Sequence, residues 1–128
     1  MPALPRARWA LPAAVALLCS GCGGTKTTRF PGSKVTLRLD EYRILPRSAS
    51  VRPGRIKIVA TDTGVLTHNV RIQSSSSKGS PVVYGTTPTA HPGQTVSAKV
   101  TLPPGHYKLL CTLGNHADLG QTAALIVH

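Results

Sequence analysis

From Val35 onward, apolar and polar side chains change places at every second residue. VTLRL places Val35, Leu37 and Leu39 on one side, RIKIVAT places Ile56, Ile58 and Ala60, and TVSAKVTL places Val96, Ala98, Val100 and Leu102. Successive side chains of a β-strand point to opposite faces, so a period of two predicts strands with one buried and one wet face. RPG at 52–54, HPG at 91–93 and PPG at 103–105 punctuate these runs as Pro-Gly turns. No stretch sustains a helical period. The pattern predicts an all-β protein, an antiparallel sandwich of six to eight short strands. The least regular stretch lies between Gln73 and Ala90, where a serine-rich solvated loop is expected to hold one short strand at Val82–Tyr84.

The first residues break this pattern. Arg6 and Arg8 precede an apolar run from Trp9 to Leu18, the arrangement of an export leader and too short to span a bilayer. The run ends in LLCSGC, where Ser20 and Gly21 resemble the small residues ahead of a bacterial lipoprotein cleavage site, making Cys22 the lipid-bearing residue. Cys19 departs from that pattern, which usually has a bulkier aliphatic residue there; without lipidation the leader reads as ordinary secretion. CSGC also has the C-x-x-C spacing of redox and zinc sites, but no partner pair follows it. The expected organisation is a lipoprotein-type signal peptide over 1–22, a Gly-, Thr- and Pro-rich tether over 23–33 and one folded domain over 34–128. The protein would then be exported, either lipid-anchored on the outer face of the cell membrane or free in a periplasmic or extracellular space.

Charge narrows the partners. The 128 residues hold 15 Lys and Arg against 4 Asp and Glu, a net charge of +11, of which Arg6 and Arg8 belong to the leader. The basic residues are scattered along alternating strands without a dense run, and aromatics for base stacking are few, which argues against nucleic acid. A solvated basic face, or one that attracts anionic lipid headgroups or an acidic protein, remains.

The candidate chemistry lies at strand ends. In HNVRI, His68 has the parity of Val70 and Ile72; in HYKLLC, Cys111 has that of Tyr107 and Leu109; in QTAALIV, Gln121 has that of Ala123, Leu125 and Val127. A ring, a thiol and an amide therefore extend inward-facing apolar rows, and His116 lies in the loop between two of them. With Cys22 acylated, Cys111 has no disulfide mate. A lone buried thiol is either inert core or a ligand. Burying three such groups is costly unless they satisfy one another or a metal. No acidic residue is obviously placed to orient a histidine base, which counts against a catalytic thiol. His91, His106 and His128 read as surface residues.

THNV, followed some forty residues later by PPGHYKLLCTLGNHADLGQ, resembles the cupredoxin family, the plastocyanin and azurin group of blue copper proteins. The likeness covers about Ser33 to His128 and implies a cupredoxin-like Greek-key sandwich with one type 1 copper ion, cycling between Cu(I) and Cu(II). By position the family's ligands fall on His68, Cys111 and His116, and its axial place, usually Met, on Gln121. Met1 is the only methionine and would leave with the leader, so the resemblance is to the stellacyanin type, whose axial donor is a glutamine. The family also implies that Asn69 ties the two ligand-bearing loops together, and that Leu113, Gly114, Ala117 and Leu119 form a docking patch around His116. The expected role is a monomeric one-electron carrier, not an enzyme, serving an extracytoplasmic and possibly acidic redox protein. A copper chaperone or storage protein is the alternative, with zinc binding and a metal-free sandwich as further readings.

Overall fold

The computed structural model describes residues 2–3, 21, 23–76 and 78–128. Cys22 and most of the leader, on which the export and lipidation expectations rest, lie outside the described residues. The inward rows form two facing sheets. One carries β2 (Lys34–Asp40), β3 (Arg43–Leu45), β5 (Gly54–Asp62) and β8 (Thr95–Leu102) in the order β3-β2-β5-β8. The other carries β1 (Thr28–Arg29), β4 (Ser48–Val51), β6 (Arg71–Ser74), β7 (Val83–Thr86), β9 (Gly105–Leu110) and β10 (Thr122–Val127) in the order β1-β4-β10-β9-β6-β7. Between them, Leu39, Ile44, Ile56, Ile58 and Leu102 of one sheet pack toward Ile72, Leu109 and Leu125 of the other, all fully buried. Each such side chain contributes about 1.5–3 kcal/mol relative to exposure, so this layer is the main stabilising element.

The all-β sandwich is present, with ten strands where six to eight were expected. The additional strands are the short ones, β1, β3 and β4, which span too few residues to show an alternation. Within 23–33, Thr28 and Arg29 run beside β4, and Phe30 donates its N–H to Ser50 O and packs against the core. The expected short strand near Val82 is β7, shifted to begin at Val83.

The sheets are mixed rather than purely antiparallel: β2 pairs parallel with β5, and β4 pairs parallel with β10 and β1. Alternation reports which face a side chain takes but not the direction of the neighbouring strand. The three Pro-Gly turns do not close hairpins. They carry the chain from one sheet to the other, between β4 and β5, β7 and β8, and β8 and β9. The sheets approach closely at β7, where a Cβ on Gly85 would lie 2.7 Å from Val100 Cγ1.

Candidate metal centre

At one end of the sandwich the inward rows run out into loops. Cys111 directly follows β9, Gln121 directly precedes β10, and residues 111–121 close the loop between these paired strands. Cys111 N–H donates to Gln121 O (3.2 Å), and Gln121 N–H donates to His116 O (3.0 Å). Gly114 and Gly120 turn the loop with φ of 49° and 111°, the left-handed region that glycine enters without a Cβ clash. His68, on the segment between β5 and β6, exchanges backbone hydrogen bonds with Ala90 (3.0 and 2.8 Å) and is fully buried.

These loops bring His68, Cys111 and His116 together, with one ligand atom of each lying within 4.8 Å of the others. Cys111 is a free, buried thiol, and its Sγ is 3.6 Å from His116 Nδ1. The ring centroids of His68 and His116 are 5.1 Å apart, and that of Tyr42 lies at the same distance from His116. His116 is half-buried, so the cluster meets solvent along this ring. His91, His106 and His128 are exposed.

Gln121 is fully buried; its Nε2 donates to Asp40 O (2.8 Å) and, more weakly, to Arg43 O (3.4 Å), which fixes the amide and leaves Oε1 without a partner. His68 Nδ1 is likewise buried and unpartnered. An unsatisfied buried polar atom costs roughly 1–3 kcal/mol, so two of them at the end of the sandwich that holds a free thiol are a cost that calls for a partner. A bound cation satisfies such lone pairs. Two imidazoles, a thiolate and a weak oxygen donor form the trigonal set with a weak axial ligand that suits copper in both oxidation states. The residues fit the metal.

Asn69, next to His68, accepts from Thr112 N–H at Oδ1 (2.8 Å) and donates through Nδ2 to Thr112 Oγ1 (2.8 Å). It thereby ties the His68 segment to the residue after Cys111. Thr112 was not singled out from the sequence.

The acidic residue that sequence reasoning did not find is Glu41. It accepts at Oε1 from Leu66 N–H (2.9 Å) and Val65 N–H (3.0 Å), and lies 2.8 Å from His68 Nε2. The Leu66 hydrogen bond, followed by that of His68, lowers its pKa from 4.5 to about 2 against the opposing effect of burial. As an ionised carboxylate it can only accept, so the contact places a proton on His68 Nε2, and in the neutral ring the lone pair then falls on Nδ1. The reading that no acid is placed to orient a histidine is therefore corrected. Glu41 is one of only four acidic residues, a scarcity that was the available signal; its 27-residue separation from His68 hid the contact.

No family model matches the sequence, and no curated protein matches it significantly. Solved structures match well. Auracyanin from the photosynthetic bacterium Roseiflexus castenholzii superposes with a TM-score of 0.68 at 19% identity, over 77% of this chain and 99% of that one. Auracyanin A of Chloroflexus aurantiacus, a "blue" copper protein, gives 0.62 at 18% identity over 74% and 99% of the two chains. A purple cupredoxin from Nitrosopumilus maritimus gives 0.55 at 18% identity over 73% and 99%. Joined to the convergence of His68, Cys111 and His116 at the end of the sandwich, these likenesses give the chain the cupredoxin fold with the donor pattern of a type 1 copper site.

Proposed function

We propose that the protein is an exported one-electron carrier with a single type 1 copper ion held by His68, Cys111 and His116, with Gln121 as the weak axial donor. The observation that carries this reading is the joint burial of a free thiol with two unpartnered acceptors, His68 Nδ1 and Gln121 Oε1, beside a second imidazole at the rim. Copper so held supplies one reversible electron. The protein's own part is rigidity. Backbone bonds among Cys111, His116 and Gln121, and the Asn69–Thr112 tie, hold the donors in one arrangement for both oxidation states, so little must move during transfer.

The half-buried ring of His116 is the point of contact for a redox partner. In the same loop Leu119 is 51% exposed, and Val65 and Leu66 expose further apolar surface on the loop bound by Glu41. Leu113, Gly114 and Ala117 lie in the same loop as His116. The basic surface favours an acidic extracytoplasmic partner. Residues 1–22 are read as the leader, 23–33 as the tether and 34–128 as the working domain, with a lipid on Cys22 holding it to the membrane. No catalytic role is assigned to any residue.

Copper titration of the purified protein tests this reading. One equivalent should produce an intense blue absorption with reversible one-electron cycling, and Cys111→Ser should abolish the colour. Colourless Cu(I) binding with ready loss to a chelator would instead indicate delivery or storage. Zinc in the purified protein without copper uptake, or no metal at all, would reject the carrier.

A further inference from the structure

Glu41 is held in a specific way. Its carboxylate receives two consecutive backbone N–H groups, of Val65 and Leu66, and the ring nitrogen of His68 that faces away from the unpartnered Nδ1. The loop is shaped to admit it: a Cβ on Gly64 would collide with the Glu41 carboxylate, and Gly64 N–H is itself fixed by Asp62 Oδ1 (2.9 Å). The other acids are engaged elsewhere or lie in the ligand loop. Asp40 pairs with Arg43 at 2.8 Å, Asp62 is buried at the end of β5, and Asp118 lies between His116 and Gln121.

We propose that Glu41 is a positioning residue that fixes His68 as its Nε2–H tautomer, directs Nδ1 into the metal centre, and biases the centre toward the more positive oxidation state. A carboxylate on the distal nitrogen makes the ring a stronger donor, and such contacts are worth about 10- to 100-fold in metal affinity. Its negative charge acts one imidazole away from the cation and favours Cu(II) over Cu(I). This contact works together with the amide oxygen of Gln121, because both a harder axial donor and an anionic histidine partner lower the reduction potential. Glu41 also staples the 64–68 loop, so a test must separate tuning from folding.

The inference rests on the copper reading for its redox part, while the tautomer can be measured without metal. In the metal-free protein, at a pH high enough to keep the imidazole neutral, nitrogen-15 NMR should show the remaining His68 proton on Nε2, and Glu41→Ala should give a mixture of tautomers. Loaded with copper, Glu41→Gln, which keeps the size and one oxygen to accept from the Val65 and Leu66 N–H groups but loses the charge, should favour Cu(I) by about tenfold, a rise of about 59 mV for one electron. A variant that unfolds at a lower temperature yet keeps the wild-type potential would show a staple only and overturn the proposal. So would a wild-type His68 protonated at Nδ1. Failure of the wild type to turn blue would reject the copper reading instead, with the tautomer result still standing for or against Glu41.

Discussion

Each residue of the centre is defined by what its second polar atom does. Gln121 spends its amide nitrogen on Asp40 O, which leaves its buried oxygen without a partner and makes it the proposed axial donor. Gln121→Met replaces a hard oxygen with a soft thioether, which favours Cu(I), and should raise the reduction potential measured by protein-film voltammetry. A fall or no change would count against axial coordination. Tyr107 shows the same economy in the core: its hydroxyl donates to Pro103 O (2.6 Å) and its ring meets Tyr84 edge-on at 5.2 Å. Burial, followed by the neighbouring Tyr84, raises the Tyr107 pKa above 10.0. The folded state favours the neutral phenol, so this contribution is present below about pH 10 and is lost as pH rises through the raised value. Tyr107→Phe should therefore cost roughly 0.5–1.5 kcal/mol near neutral pH, and should flatten the alkaline limb of a stability–pH profile followed by urea unfolding.

At the scale of elements, the site depends on two loops meeting. β9 and β10 are paired along their whole length, which fixes Cys111 and Gln121 opposite each other. The His68 segment comes from a different connection, and Asn69 secures it to Thr112 through both ends of its amide. Asn69→Ala would leave Thr112 N–H without this partner, at a cost of about 1–3 kcal/mol. The thermal midpoint of the metal-free protein should fall, and copper should pass to a chelator faster than from wild type. An unchanged chelation rate would mean that the loops stay together by packing alone.

Over the whole molecule, the register collects charge that looks dispersed along the chain. Lys34 pairs with Lys57 and Lys57 with Lys99, making a row of three exposed lysines across β2, β5 and β8, with Arg55 and Arg38 on the same face. Like charges directly opposite each other destabilise a sheet by roughly 0.2–1 kcal/mol, so retaining them is a stability cost. Lys57→Glu should raise stability by up to about 1 kcal/mol at low salt, with the gain shrinking as the Debye length contracts. The same substitution should slow association with an acidic redox partner in stopped-flow kinetics, most at low ionic strength. Equal rates for the two proteins would remove this face from partner recognition.

Periodicity alone was enough to place Val35, Ile58, Leu109 and Leu125 in a core, because side-chain parity is a local property of extended backbone. It also put His68, Cys111 and Gln121 on the inward side, and the spacing of CTLGNHADLGQ tied three of the donors to one loop. Strand partners are not local. The parallel pairing of β2 with β5, the lysine row that this register creates and the passage of every Pro-Gly turn between sheets required the assembled sandwich. So did Glu41, because a carboxylate meets a ring 27 residues away only after β2 and the 64–68 loop have been brought to the same end of the molecule.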